Sequence, residues 1–146
     1  MGTNYEAHYI GKKRHNRAIY AEDALIFGKG TVTPGLRIDD NSTFGVHRTP
    51  RLAMNYKASD AFNVYASWGR VFSPPRLNDQ FYVTSSSRGK EDLQPEEGYT
   101  QTLGFQYQIH PKSYREASIF HSHLRNVIRW NRSVTPHEAE NLDEED

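Results

Sequence analysis

The chain has 146 residues, no cysteine and a formal net charge of zero, with 36% hydrophobic and 12% aromatic residues. Its mean hydropathy is −0.84. The length points to one domain, and the missing cysteines exclude disulfides, thiolate metal sites and cysteine nucleophiles. No run approaches the roughly 20 apolar residues of a membrane helix, and the N-terminus carries no apolar signal-peptide core. A membrane barrel would escape both tests, because its strands need apolar residues only at alternate positions.

Charge is unevenly placed. Six of the eighteen acids lie in the last nine residues, so residues 1–137 carry a net +6. That surplus is too modest to indicate a nucleic-acid partner. Low apolar content with plentiful aromatics is unlike a disordered chain and suits strands that bury one face.

Residues 1–16 are polar and basic, with Lys12, Lys13 and Arg14, and are read as a loop. Arg17 to Phe27 is the first strand candidate, although its alternation is blurred and its alanines and glutamate also suit a helix. Gly28-Lys29-Gly30 is a tight turn that makes a hairpin with the next run. From Thr31 to Asp39, Val32, Pro34, Leu36 and Ile38 share one face and the polar or small residues the other. Pro34 is out of place in a strand interior. Residues 39–47 are expected to form a polar loop. Pro50 to Lys57 alternates again, with Leu52, Met54 and Tyr56 on one face, and Ala58-Ser59-Asp60 turns the chain.

The fourth strand is the reference point of the chain. Phe62, Val64, Ala66 and Trp68 alternate with Asn63, Tyr65, Ser67 and Gly69, until Pro74-Pro75 ends the run. About twenty irregular polar residues follow, to Glu97, and a loop that long is usually functional or disordered. Arg76, Tyr82, Arg88 and Lys90 are its candidate ligand contacts, because aromatic and charged residues on a loop held by a rigid sheet make a common binding surface. Tyr99 to Ile109 is the cleanest strand, and after His110-Pro111-Lys112 the last expected strand runs from Arg115 to Trp130. His121 and His123 share a face there, but without a visible third ligand they do not make a metal site.

No enzyme motif is present: there is no G-x-S-x-G, P-loop or H-E-x-x-H. The adjacent acids Glu22-Asp23 and Glu91-Asp92 would point to opposite faces of a strand, whereas acids acting on one bond must converge. The expectation is a non-enzyme without a cofactor or resident metal.

Several segments together resemble the barrel of TonB-dependent outer-membrane receptors. They are Tyr20-Ala21-Glu22-Asp23, Thr33-Pro34-Gly35-Leu36-Arg37-Ile38-Asp39, Pro50-Arg51-Leu52-Ala53, and Tyr65-Ala66-Ser67-Trp68-Gly69 continuing to Pro74. Leu93-Gln94-Pro95-Glu96, Leu103-Gly104-Phe105, Arg125-Asn126-Val127-Ile128 and Asn141-Leu142-Asp143 follow in the family's order. The resemblance decides Arg17–Phe27 for strand and makes Pro34 expected. It covers nearly all of residues 17–130, as a central slice in which no plug domain, TonB box or aromatic-ended final strand is recognised.

What the resemblance implies is an all-β, antiparallel up-and-down meander of about six strands, part of a transmembrane β-barrel. Residues 1–16 are then a polar loop segment, 17–130 three hairpins, and 131–146 a loop toward a missing strand. Short turns at 28–30, 58–60 and 110–112 would face the periplasm; loops 39–47, 73–97 and 131–140 would face outside. Polar faces would line the lumen and apolar faces would meet lipid. Tyr56, Phe62, Tyr107 and Ile109 beside the turns, and Tyr99 beside the long loop, would stand where an interfacial girdle belongs. The implied function is uptake of a scarce metal complex such as a ferric siderophore, or haem or cobalamin. Its partners would be outer-membrane lipid, a plug domain and TonB, in the cell outer membrane. The competing reading is a soluble all-β ligand- or glycan-binding module using the 73–97 loop. It would need a second sheet packed on the apolar faces.

Overall fold

The computed structural model describes residues 11–145. They form a sheet of nine strands and one short helix: β1 (Asn16–Glu22), β2 (Leu25–Phe27), β3 (Gly30–Asn41), β4 (Gly45–Lys57), β5 (Phe62–Ser73), α1 (Leu77–Phe81), β6 (Ser87–Arg88), β7 (Glu96–His110), β8 (Ser113–Asn131) and β9 (His137–Glu145). The spatial order is β1-β3-β4-β5-β7-β8-β9-β6, with β2 also paired to β3. The long strands are neighbours in sequence order and antiparallel, as expected of a meander. All strands belong to one sheet, so no second sheet among the described residues covers its apolar face.

Three departures from the expected six strands have local causes. First, the Arg17–Phe27 run is split. Asp23 donates its N–H to the Pro34 carbonyl at 3.2 Å, but Pro34 has no N–H to return. The ladder of β3 against β1 and β2 therefore breaks opposite that proline, with Glu22–Gly35 and Leu25–Val32 the flanking pairs. Second, the polar loop expected over 39–47 shrinks to residues 42–44. The buried Asn41 side chain accepts from the N–H groups of Thr43 (3.0 Å) and Phe44 (3.2 Å), closing the turn. Third, the tail expected as a loop over 131–146 contains β9, which pairs with β8 from Asn131–Glu138 to Leu124–Glu145. Of the expected 1–16 loop, residues 1–10 lie outside the described residues. Residues 12–15 carry no regular structure, and Asn16 opens β1.

One face of the sheet is apolar and the other polar. Tyr56–Val64, Met54–Ala66 and Leu52–Trp68 are opposed pairs on the apolar face. Val64–Phe105 and Ala66–Leu103 continue those rows into β7, and Leu103–Ile119 into β8. The alternate rows hold Tyr65–Gly104 and Ser67–Thr102. On that polar face, the Tyr65 hydroxyl donates to Glu116 at 2.6 Å.

The upper end of the unbroken apolar run on that face moves in a regular way, with Val46 on β4 and Phe72 on β5 standing beyond it past an arginine. It is Ile38 on β3, whose partner on β4 is already Arg48; on β4 it is Pro50. On β5 it is Trp68, whose partner on β7 is already Gln101. On β7 and β8 it is the opposed pair Leu103 and Ile119. Each of the first three strand-to-strand moves lowers the limit by two residues and the fourth by none. With about 3.3 Å per residue and about 4.8 Å between strands, the limit falls about 20 Å over about 19 Å, a slope near 45°. A flat plane cuts strands that way when they tilt by about 35–45°, the tilt of membrane barrels.

Strand lengths also differ between the two ends. The turns 28–29, 58–61 and 111–112 close one end, while β7 and β8, of 15 and 19 residues, run far past the apolar limit at the other. A span needs only about 9–11 strand residues, so the excess projects beyond the belt on the side that carries the long loop. The few buried apolar residues, Leu93, Val127 and Ala139, all lie at that far end.

Candidate functional site

Residues 74–95, expected as an irregular loop, fold into an ordered cap. Pro75 is fully buried, and α1 follows it. Arg76 donates its N–H to Asp79 Oδ2 at 3.2 Å, a side-chain cap for the helix start. Asp79 Oδ1 accepts from the Trp130 indole at 3.3 Å, which ties α1 to β8. The Asp79 carbonyl accepts from the Lys90 N–H at 2.9 Å, and the Tyr82 carbonyl from the Gly89 N–H at 2.6 Å. A Cβ on Gly89 would stand 2.6 Å from the Asp79 carbonyl oxygen, so this crossing requires glycine. Beyond it, β6 pairs in parallel with the start of β9, Ser87 with His137 and Arg88 with Glu138.

The cap's lower end is latched. Gln94 donates its N–H to Asn141 Oδ1 at 2.9 Å and its carbonyl accepts from Asn141 Nδ2 at 3.1 Å. Asn141 Nδ2 also reaches the Asn126 carbonyl at 2.6 Å, and Asn126 Nδ2 the Pro95 carbonyl at 3.3 Å. Glu96 Oε1 accepts from the Ile128 N–H at 2.9 Å. Leu93, 2% exposed, sits beside this network. The three separated motifs around Pro95, Asn126 and Asn141 thus meet at one place. Asn126 has the left-handed φ of 56°, a conformation asparagine tolerates better than most residues.

Sequence reading missed the other anchor. Arg14 donates to the Pro75 carbonyl and to Gln80 Oε1, and its guanidinium lies 5.0 Å from the Phe44 ring centroid. Gln80, 3% exposed, in turn donates to the Glu91 carbonyl at 2.9 Å. Lys12 lies 4.6 Å over the Phe81 ring. Nothing in residues 11–15 signals these contacts, because the hydrogen-bond partners of Arg14 are more than sixty positions away.

The four sequence candidates occupy different parts of this cap. Arg76 caps α1 with its side chain exposed, and the half-buried Tyr82 ends the helix. Arg88 is exposed on β6. Lys90 is exposed beside Asp92, at 3.8 Å. Arg76 lines a concavity of about 330 Å³ with Pro74, Asp79, Glu96 and Trp130; Tyr82, Arg88 and Lys90 do not reach it.

A second cleft, of about 430 Å³, adjoins the first at Pro74 and holds Asn16, Arg37, Asp39, Thr49 and Arg70. It exists because the β4–β5 ladder stops at Arg51–Gly69. Farther out β4 pairs only with β3, and β5 only with β7. Asp39 receives both Arg37 nitrogens at 2.7 Å and Asn16 Nδ2 at 2.9 Å. His47 closes the split end, stacked on Phe72 at 3.6 Å and 3.3 Å from Glu97. The two clefts together bring Arg37, Arg70 and Arg76, the acids Asp39, Asp79 and Glu96, and the aromatic Phe72 and Trp130 around a polar hollow, with Arg37 already held by Asp39. His121 and His123 flank Tyr99, with ring centroids at 6.0 and 5.3 Å. Among the described residues no three groups converge as metal ligands.

Comparison with known proteins places this geometry. Residues 2–144 match the family model described as TonB dependent receptor-like, beta-barrel. The vitamin B12 transporter BtuB of Vibrio vulnificus is 29% identical over 132 residues, 89% of this chain and 21% of that protein. The ferric enterobactin receptor PirA of Pseudomonas aeruginosa is 34% identical over 113 residues, 65% of this chain and 15% of that protein. The crystal structure of the siderophore receptor PirA from Pseudomonas aeruginosa superposes with a TM-score of 0.79 at 26% identity, covering 90% of this chain and 26% of that one. The chain thus spans about a fifth of the length of the relatives it matches. This family is one of receptors and transporters, not of enzymes. A single sheet with one apolar and one polar face, a boundary sloped as a tilted barrel requires and a folded cap at one end belong together: the chain is a member of the TonB-dependent receptor β-barrel family.

Proposed function

We propose that this chain supplies wall strands and one outer loop of a receptor that takes up a scarce metal complex across the outer membrane. The complex is a ferric siderophore or, as the BtuB relatives suggest, cobalamin, with haem a third case of the same chemistry. The apolar face meets lipid and the polar face lines the lumen, where a plug domain acting with TonB would move to admit the ligand. The cap and the two clefts form part of the outer binding surface, and Arg76, Tyr82, Arg88 and Lys90 are its proposed ligand contacts. The observation that carries this reading is the sloped apolar limit with an ordered cap beyond it: a soluble glycan-binding sandwich has no need of a level belt and does need a second sheet.

The test is outer-membrane fractionation of the full-length product containing these residues, with heat-modifiable gel migration. The purified product is then titrated with ferric enterobactin and with cyanocobalamin, read by intrinsic fluorescence. A heat shift with saturable binding of one ligand is expected. A soluble product without a shift overturns the reading.

A further inference from the structure

The wall of the second cleft is split, and one side chain crosses the split. Beyond Arg51–Gly69 no ladder joins β4 to β5. There the outer part of β4 pairs with β3 and that of β5 with β7. His47, on the β4 side, stacks on Phe72 of β5, with ring centroids 3.6 Å apart and planes at 12°. Its Nδ1 lies 3.3 Å from Glu97 Oε1 on β7, and its Nε2 lies 2.9 Å from the Phe44 carbonyl oxygen. Phe72 and Glu97 are themselves an opposed pair, so one ring on β4 grips β5 and β7 together. Arg70 and Phe72 line one side of the cleft, Asp39 and Thr49 the other. The grip of that ring therefore sets how wide the cleft stands.

Both ring nitrogens face oxygen acceptors. A neutral imidazole has one N–H and one lone pair, so it donates to only one of them, whereas the imidazolium donates to both. Charged groups approach from every side. On β3, Asp39 is opposed to His47, and its hydrogen bonds from Arg37 hold its carboxyl below the ordinary carboxylate range. Asp40 is opposed to Val46, on the other face of that ladder. Arg37 is occupied by Asp39. The other cations around the split are Arg70 across the cleft, Arg48 beside His47 in the chain, and Arg14 over the Phe44 ring. Among the described residues Glu97 is the acid paired with the ring itself.

We infer that His47 is a proton-dependent clasp on the second cleft. Charged, the ring ties β4 to Phe72 and Glu97 and holds the cleft narrow; neutral, it gives up one of its two hydrogen bonds and the split opens more readily. The closed split binds the proton better than the open one, so acid tightens the wall. A rise through about pH 5–8, where imidazoles change charge, loosens it. That this loosening would shorten the stay of a ligand rests on the binding reading above; the clasp itself does not.

The test is hydrogen exchange of the full-length product, first shown to fold by its heat shift, in nanodiscs of phosphatidylcholine without ligand. Residues 45–49 are followed by mass spectrometry in the wild type and in His47→Gln, at about pH 5.5 and about pH 8. The ratio of variant to wild-type rates at each pH cancels the chemical pH dependence of exchange. It is expected to be roughly threefold to fivefold in acid, the scale of an ion pair at a protein rim, and to fall toward one at the higher pH. Glu97→Gln keeps His47 and its stack on Phe72, and is expected to give the same pattern. His121→Gln, at a histidine outside the cleft, should exchange as the wild type does at both pH values. A ratio equally above one at both makes His47 a packing residue only, and a ratio of one at both makes it no clasp; either overturns the proposal. If His47→Gln does not fold, Glu97→Gln is read the same way. A product that shows the pH-dependent ratio but binds neither ferric enterobactin nor cyanocobalamin defeats the binding reading and leaves the clasp standing.

Discussion

At mid-strand, Leu103 is 51% exposed and Ile119 72% exposed; at the far end, Leu93 and Ala139 are 2% and 0% exposed. Among the described residues the belt leaves its large apolar side chains exposed or half-buried, whereas the cap buries Pro75 and Leu93 and half-buries Leu77, Phe81, Tyr82 and Val83. A belt built this way is stable only where lipid replaces water against it, since exposed apolar area of that extent in water invites association. The cap must be stable in water by its own contacts, so it has a small core and a network of side-chain to backbone hydrogen bonds. One strand, β8, serves both ends: Ile119 belongs to the belt, and Asn126, Val127 and Trp130 belong to the cap. The two ends should therefore respond oppositely to the same kind of change.

The largest effect should separate the two by where damage appears. Leu93→Ala removes a fully buried side chain, and truncations of that kind cost about 2–5 kcal/mol. The loss should be local: faster proteolysis and hydrogen exchange across 74–95, with heat-modifiable migration of the barrel retained. Loss of the heat shift would mean that cap and belt fold as one unit.

The belt was legible in the sequence and the cap was not, for a physical reason. A strand between lipid and lumen must alternate, so period two over Phe62–Trp68 or Tyr99–Ile109 reports its structure residue by residue. The cap is held by contacts between distant, non-periodic positions, such as Arg14 with Gln80 and Gln94 with Asn141. The motifs around Pro95, Asn126 and Asn141 were visible as a family resemblance. That they latch one another required the fold. Asn41 gave no sign that it would shorten the 39–47 loop, because a single side chain accepting two N–H groups leaves no periodic trace. The four loop candidates were chosen by residue type, which cannot tell Arg76, at a cleft, from Arg88, on a strand edge.

A pair of adjacent substitutions tests the belt's two faces. Ala66→Arg places a charge on the lipid side and is expected to cost about 2–4 kcal/mol near mid-membrane. Ser67→Arg, one residue on, faces the lumen and should cost a small fraction of that. Urea titration of the full-length product folding into vesicles measures both. Equal costs would mean that the faces are assigned wrongly.

A smaller effect is expected at the latch. Asn141→Ala removes the acceptor of the Gln94 N–H and the donor to two carbonyls, and losses of this kind run about 1–3 kcal/mol where the freed groups stay shielded from water. Asn126 and Gln94 should then lose hydrogen-exchange protection together, while Phe105 in the belt keeps its own. A loss confined to Gln94 would show that Asn126 and Asn141 act separately.

The smallest expected effect lies inside the belt, at the split between β1 and β2. Pro34 accepts from Asp23 but returns nothing, so the ladder has one gap at a position flanked by intact pairs. Pro34→Val supplies the missing N–H and a β-branched side chain on the same apolar face. A net gain near one hydrogen bond, about 0.5–1.5 kcal/mol, is expected, reduced by the backbone freedom that proline had removed from the unfolded chain. Hydrogen-exchange protection of the amide newly introduced at that position would show β1 and β2 joined into one strand. An unprotected amide would place the cause of the split in Asp23 and Ala24, and the proline would then be a consequence of the break, tolerated there because no ladder crosses it.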